Sequence, residues 1–247
     1  MKPIKLLNHS VRIKSFVYRC QWMLPENFRS KNPIRMALMD VANSMDGVTF
    51  VNIGANDGLS GDHLREFVIR FGWKGILVEP VPYVFQRLIS AYRDQRDVFL
   101  AQVAISDSDG TTQFWHLRKN HELRPGYDQI GSFSKDYVLA HKSMFPSLEK
   151  YLTYTNVKTI RLQQLLDSYH LEPDVILIDA EGYDSEVVKQ INFTRPPRLI
   201  IFEHCHLAAD EKLYCQNLLL KKGYLLKDDG YNTIAIQSKP LAGLPTS

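Results

Sequence analysis

Cysteine is scarce in this chain: Cys20, Cys205 and Cys215 are the only three among 247 residues. An odd count without paired spacing excludes a disulfide framework and points to reduced thiols. No apolar run approaches the ~20 residues that a membrane-spanning helix requires. The opening MKPIKLLNHSVRIKSF has neither the unbroken apolar stretch nor the small-residue cleavage site of a secretory signal. A cytoplasmic location is therefore expected. Internal repeats and low-complexity tracts are missing too, which excludes solenoid and tail-like architectures. So is any compact metal-ligand pattern of the H-E-x-x-H kind.

What is present is the material of one large domain, with 45% hydrophobic and 23% charged residues, enough to bury a proper core. The net charge of +3 conceals an asymmetry. Lys2, Lys5, Arg12, Lys14, Arg19, Arg29, Lys31 and Arg35 face only Glu26 before Asp40 is reached. Such a segment can serve anionic partners: membrane headgroups, an acidic substrate or a nucleic acid. The plainer expectation is a basic extension over residues 1–45, a helical cap in which Val11, Phe16, Val17, Trp22 and Leu24 pack on the domain while the bases stay in water. No base-stacking motif accompanies the bases, so nucleic acid is not the expected partner. Contact with a membrane surface through this segment stays open, and the oligomeric state is not legible.

From Val48 onward strand-like and helix-like periods alternate over the remaining domain, 46–247. Val48 to Ile53 is an apolar run of strand length, and His63 to Phe71 places Leu64, Phe67, Val68 and Phe71 on one helical face. Ile76 to Glu79 is the next strand. Pro82 to Arg93 carries Phe85, Leu88, Ile89 and Tyr92 at helical spacing behind a first-turn proline. Val98 to Ile105 is a third strand, and Asp109-Gly110 reads as a turn before a further run, Thr111 to Leu117. Residues 118–154 lack a long period and read as an inserted excursion with short helices that covers the site. The alternation resumes with a helix from Leu162, the strand DVILIDA, a helix from Ser185, the strand RLIIFEH and a helix from Ala208 that Gly223 stops. Two strand-like runs around Asp229-Gly230 close the chain. The expected fold is α/β, a mostly parallel doubly wound sheet ending in an antiparallel hairpin.

Candidate binding residues lie where such a sheet binds ligands, beyond the carboxyl ends of its strands. The segment FVNIGANDGLSG runs the first strand into a loop where Gly54 and Gly58 permit unusual dihedrals and close approach of a ligand. A dinucleotide fold would want G-x-G-x-x-G, whereas Gly54, Asn56 and Leu59 occupy those positions. A nucleoside-bearing ligand without phosphates, S-adenosylmethionine, fits better. Glu79 ends the second strand, placed to accept hydrogen bonds from ribose hydroxyls. Asn56 and Asp57 would meet the ammonium and carboxylate of the methionine part. Ala104 and Ile105 would flank the adenine, with Asp107 near its exocyclic amine.

The set VNIGANDG, ILVEP, VAISDSDG, IDAEGYDSEV and IIFEHCH resembles the FkbM-type S-adenosylmethionine-dependent methyltransferases over about Val48 to Ile236. The resemblance implies a Rossmann-like class I methyltransferase fold and O-methylation of a hydroxyl on a sugar, glycan or natural product. Two positions depart from the family. Asn52 stands where an acidic residue is usual, and Leu177 where a lysine is frequent, so neither charge carries over.

Methyl transfer from a sulfonium asks mainly for positioning, on the order of 7 to 11 kcal/mol, and for a place to put the acceptor's proton. Asp179, Glu181 and His204 are the candidate catalytic residues, with Asp179 orienting and His204 taking the proton. For Glu181 and Asp184 the plain alternative is complementing a helix N-terminus. Asp179, Glu203 and His204 permit a divalent cation without demanding it, and the expected arrangement is metal-free. His116, His121, Arg124, Tyr127, Ser132 and Tyr137 of the excursion and its borders are placed to select the acceptor. Other readings remain: a nicotinamide-dependent oxidoreductase, or a silent membrane-peripheral or scaffold domain that keeps the fold.

Overall fold

The computed structural model describes residues 32–119, 123 and 125–238. Residues 1–31, with most of the basic segment, and His121 and Arg124 of the excursion lie outside the described residues. The main sheet has seven strands in the order β3-β2-β1-β7-β8-β10-β9. They are β1 (Thr49–Ile53), β2 (Lys74–Val78), β3 (Val98–Ala101), β7 (Val175–Ile178), β8 (Leu199–Glu203), β9 (Tyr224–Asp228) and β10 (Asn232–Gln237). Strands β1, β2, β3, β7 and β8 run parallel to one another, and β10 pairs antiparallel with both β8 and β9. The order reverses between β1 and β7.

Strand alternation builds a core on each face of this sheet. Phe50, Leu77, Leu177 and Ile201 point to one face, where Leu38, Phe67 and Leu88 cover them. These come from the helices α1 (Pro33–Ser44), α2 (Arg65–Phe71) and α3 (Pro82–Tyr92). Val51, Ile76, Ile178 and Phe202 point to the other face, against Leu165, Val187 and Leu219. Those belong to α5 (Leu162–Ser168), α6 (Asp184–Lys189) and α7 (Ala209–Lys221). Burial on both faces is why these strands read as continuous apolar runs.

Helix α1 is the described part of the expected cap. The Asn32 side chain accepts hydrogen bonds from the backbone N–H groups of Ile34 (2.8 Å) and Arg35 (3.1 Å), and Pro33 fills the first turn. Ile34, Ala37, Leu38 and Val41 form its buried stripe. Arg35 is not merely solvated: it grips Glu66 through Nε and Nη2 at 2.8 and 2.7 Å.

The expected third strand breaks in two. After β3 the chain leaves the main sheet, and β4 (Ala104–Ile105) pairs parallel with β6 (Leu152–Ile160), a strand hidden at the end of the excursion. The run after Asp109-Gly110 is β5 (Gly110–Leu117), which also pairs with β6, antiparallel from Gly110↔Thr159 to Leu117↔Leu152. A second sheet, β4-β6-β5, results. Among the described residues of the excursion ahead of β6, α4 (Lys135–Leu139) and short 3-10 turns form, around a small core of Leu117, Ile130, Val138, Phe145 and Leu148. No helix of the described residues is long and apolar enough to cross a membrane.

Candidate active site

A cleft of about 1270 Å³, counting the part open to solvent, lies over the carboxyl ends of β1, β2, β7 and β8. Its floor begins at Gly54, where φ is 82°. A Cβ there would stand 1.9 Å from the Asp179 carbonyl oxygen, so glycine lets β1 and β7 meet at the reversal of strand order. The N–H groups of Gly54 and Ala55 both donate to the Val78 carbonyl, at 3.0 and 2.9 Å.

Asn56 follows in the left-handed region, φ 51°. Its backbone N–H donates to Glu79 Oε2 at 3.1 Å, and its side-chain amide donates to the Asp128 carbonyl at 3.1 Å. Asp57 and Gly58 do not line the cleft, which corrects their expected contact with a ligand. The Asp57 carboxylate folds back on its own loop, accepting from the N–H groups of Leu59 (3.0 Å) and Ser60 (2.7 Å). Gly58 faces α3, where an added Cβ would press on Leu88 and Tyr92 at 2.7 Å. Both shape the loop from behind.

Glu79 is buried and borders the cleft. Its Oε1 accepts from the Val81 N–H at 2.8 Å while Oε2 holds Asn56. Burial pushes its carboxyl up to about 7, against the pull of those two hydrogen bonds. Each oxygen has a second lone pair, which is the capacity that a pair of ligand hydroxyls needs. Ala104 and Ile105 line the cleft as expected, joined by Phe114 of β5. Asp107 does not: the turn of β4 toward β6 leaves it exposed, accepting from Ser106 Oγ at 3.3 Å and Ser108 Oγ at 3.1 Å.

At the other end Asp179, Glu181 and Glu203 converge, their carboxylate oxygens within 4.8 Å of one another. Glu181 has φ 49° and is followed by Gly182 at 93°. Two groups from the excursion hold it: Tyr137 Oη donates to its Oε2 at 2.5 Å, and Ser132 Oγ donates to its carbonyl at 2.9 Å. Asp184 takes the helix-terminus role instead, fully buried and accepting from the N–H groups of Ala180 (3.2 Å) and Gly182 (3.3 Å). Burial, reinforced by the charges of Glu203 and Glu181, pushes its carboxyl up to about 8.

His204 is turned away, which corrects its placement as the proton acceptor. Alternation along β8 puts Glu203 on the cleft face and His204 on the face of Phe202. There His204 Nδ1 meets Thr233 Oγ1 at 3.0 Å, and Nε2 accepts from Lys212 Nζ at 2.9 Å. Burial lowers its pKa. His116 is likewise outside the cleft, bound to the Leu117 carbonyl (3.0 Å) and Thr155 Oγ1 (2.9 Å) of the second sheet.

The excursion roofs the cleft, as expected of it, with residues the sequence did not single out. Asp128, Gln129, Gly131 and Phe133 line it, and Tyr231 and Asn232 close the far side. Arg87 of α3 pairs with the Asp128 carboxylate, and Gln129 Nε2 donates to the Ser60 carbonyl at 3.4 Å. Tyr231 and Asn232 follow the Asp229-Gly230 turn, whose turn signal was readable although its reach over the sheet was not.

The profile of the methyltransferase FkbM domain matches residues 52–231, well over half of the chain. The chain belongs to the FkbM methyltransferase family. The match covers nearly all of the cleft lining, from Asn52 on β1 to Tyr231, leaving out Ile34 and Asn232. Among solved structures, the methyltransferase FkbM of Methylobacillus flagellatus KT is similar, with a TM-score of 0.50 and 12% identity. That likeness covers 94% of this chain and 56% of the other, and it bears on the fold. The precorrin-6y C5,15-methyltransferase of Geobacter metallireducens GS-15 is also similar, with a TM-score of 0.44, 12% identity, and 83% and 87% of the two chains covered. No curated protein sequence matches the chain. The α/β fold with its mostly parallel sheet is the Rossmann-like class I methyltransferase fold.

Proposed function

We propose that this FkbM-family protein transfers the methyl group of S-adenosylmethionine to a hydroxyl oxygen of a sugar, glycan or natural-product acceptor. The observation that carries the reading is Glu79, buried at the tip of β2 with both oxygens anchored by loop N–H groups and turned to the cleft. A carboxylate so held accepts two ribose hydroxyls without having to reorganise. Gly54 leaves bare backbone where the methionine part of the ligand would lie, and Ala104, Ile105 and Phe114 offer apolar walls for a flat base. When bound, the cofactor supplies an activated methyl group. The chain supplies the rest.

Asp179 and Glu181 stand beyond the loop, at the end of the cleft where an acceptor would enter. Asp179 orients the acceptor hydroxyl or the cofactor ammonium. With His204 on the opposite face of the sheet, Glu181 is the group assigned to receive the acceptor's proton. Phe133 and Tyr231 flank this end and exclude water, and the roof over Asp128 and Gln129 keeps the cofactor in register, so positioning dominates the rate. Carboxylates with aromatic walls suit a polyhydroxylated acceptor, since carboxylates accept hydroxyl hydrogens and rings pack on apolar sugar faces.

Calorimetry with S-adenosylmethionine tests the reading. Wild-type protein binds it and Glu79→Ala loses about 10- to 100-fold in affinity, the worth of one to two hydrogen bonds to a charged group. Equal affinity in both proteins, or no binding by the wild type, overturns it.

A further inference from the structure

Strand β8 ends at Glu203, and the next residues turn toward α7. The backbone N–H groups of His204 and Cys205 both donate to the Tyr231 carbonyl, at 2.8 and 3.1 Å, which pins this turn against the β9–β10 connection. The turn folds Cys205 and His206 back over Glu203. His206 Nε2 lies 3.2 Å from Glu203 Oε2, and both side chains are more than nine-tenths buried. Cys205 Sγ completes the group, with one ligand atom from each of the three residues lying within 4.8 Å of the others.

The separation of His206 and Glu203 is close to what a shared metal ion demands, and Cys205 Sγ lies within 4.8 Å of both, within reach of the same ion after a small side-chain adjustment. Oxygen and nitrogen ligands about 2.0–2.1 Å from a tetrahedral zinc stand about 3.3 Å apart, and a thiolate at about 2.3 Å stands slightly farther from each. Carboxylate, imidazole and thiol are three protein ligands, the number with which a zinc site keeps one position open. The sulfur and imidazole favour zinc over magnesium. Glu203 also has the Asp179 and Glu181 oxygens within 4.8 Å, so a dication here would offset three converging negative charges. Around His206 the packing is tight, its ring 5.2 Å from that of Tyr137 and 5.8 Å from that of His141.

We infer that Glu203, Cys205 and His206 bind a zinc ion at the end of the cleft that Glu203 lines. The inference rests on these three residues and not on the proposed methyl transfer, although Glu203 borders the Asp179 and Glu181 carboxylates assigned to that reaction. Binding displaces the thiol proton of Cys205 and replaces the direct His206–Glu203 contact with bonds to the ion.

The test uses the full chain, stripped with a chelator and titrated with cobalt(II) and then zinc. One cobalt per chain is expected, with a near-ultraviolet thiolate-to-cobalt charge-transfer band that zinc abolishes. Cys205→Ser loses the band, and His206→Ala or Glu203→Gln weakens zinc binding by more than the roughly 10- to 100-fold that an outer-shell loss costs. Cys20→Ser and Cys215→Ser keep the band, Cys215 being fully buried with its sulfur against the Ser185 carbonyl. Zinc also raises the melting temperature of the wild type but not of Cys205→Ser, a comparison made within each protein and so independent of the variant's own stability. Absence of zinc binding, a cobalt spectrum without the thiolate band, or a band that survives Cys205→Ser overturns the proposal. Binding of magnesium or manganese that requires Asp179 and Glu181 and ignores Cys205→Ser overturns it as well.

Discussion

Tyr137 donates its hydroxyl hydrogen to Glu181 Oε2 at 2.5 Å, and this bond ties the excursion to the loop beyond β7. Glu181 holds a left-handed φ of 49°, which costs a non-glycine residue about 1–2 kcal/mol. The Tyr137 and Ser132 hydroxyls offset that cost and aim the carboxylate into the cleft. The roof and the carboxylate are therefore one mechanical unit. Tyr137→Phe is expected to lower kcat roughly 10-fold or more while leaving cofactor affinity unchanged, because a hydrogen bond to a charged group is worth about 1.5–3 kcal/mol. Calorimetry and initial rates on the same preparation check it. A parallel loss of cofactor affinity would mean that Tyr137 shapes the cleft rather than the carboxylate.

Glu79 gives a pH signature. Burial raises its carboxyl from an ordinary 4.5 to about 7, so the folded ligand-free protein holds this proton over a range in which the unfolded chain has released it. Its contribution to stability is fully present below pH 4.5 and is lost as pH rises through about 7. Asp184, raised to about 8, acts in the same direction. Ligand hydroxyls prefer the ionised carboxylate, so cofactor affinity is expected to climb by up to about tenfold per pH unit below 7 and level off above it. Glu79→Gln should bind weakly with little pH dependence and show a shallower fall in melting temperature from pH 5 to 8. A pH-independent affinity in the wild type would refute the assignment.

Much of this arrangement is readable from residues alone, for identifiable reasons. The strands VNI, ILV, VILI and LIIF are buried on both faces, so they stand out as short apolar runs, and chemistry follows at their carboxyl ends. Alternation also separates Glu203 from His204. Which of the two faces the cleft is another matter, because that depends on which layer of helices the excursion covers. Strand β6 hides because LTYTNVKTI is half exposed and lies at the end of an irregular stretch. Thr153, Thr155, Val157 and Thr159, alternating and β-branched, were its signal. Asp57 and Gly58 show a further limit. A loop motif names residue types, whereas their direction is fixed by α3 packing behind them.

The two loop glycines should accordingly behave differently. Gly54→Ala puts a methyl group 1.9 Å from a backbone carbonyl that β1–β7 pairing holds in place, so loss of soluble native protein is expected. Gly58→Ala meets the side-chain atoms of Leu88 and Tyr92, which can shift, and must hold a left-handed φ of 69°, which adds about 1–2 kcal/mol of strain. Overpacking of that kind costs about 1–3 kcal/mol, a fall of roughly 2–4 °C in Tm for each kcal/mol. Cofactor affinity of the folded protein should stay within about threefold, a factor worth well under 1.4 kcal/mol. Thermal melts with calorimetry decide, and a Gly58→Ala protein of native Tm that fails to bind would return Gly58 to the ligand-contacting set.

His204 supplies the last prediction, because its environment fixes both its protonation and its irrelevance to the acceptor. Lys212 Nζ donates to Nε2 at 2.9 Å and to Asp228 Oδ2 at 2.7 Å. An ammonium has only donors, so Nε2 must carry a lone pair, and the ring proton sits on Nδ1, facing Thr233 Oγ1. Protonating Nε2 would break the bond from Lys212 and set two cations together, which agrees with the direction in which burial moves the pKa, downward. A lowered folded value means that the unfolded chain takes up a proton first as pH falls, so stability is lost on the acid side of the usual histidine value of about 6.5. Replacing the ring by an uncharged amide removes that liability. His204→Gln is therefore expected to keep kcat and cofactor affinity within about twofold, a change well under 1 kcal/mol, and to flatten the loss of Tm below pH 6.5 relative to the wild type. A kcat that collapses in folded His204→Gln, together with loss of a rate rise through the histidine range, would restore His204 as the proton acceptor and require the β8 turn to open toward the cleft during turnover.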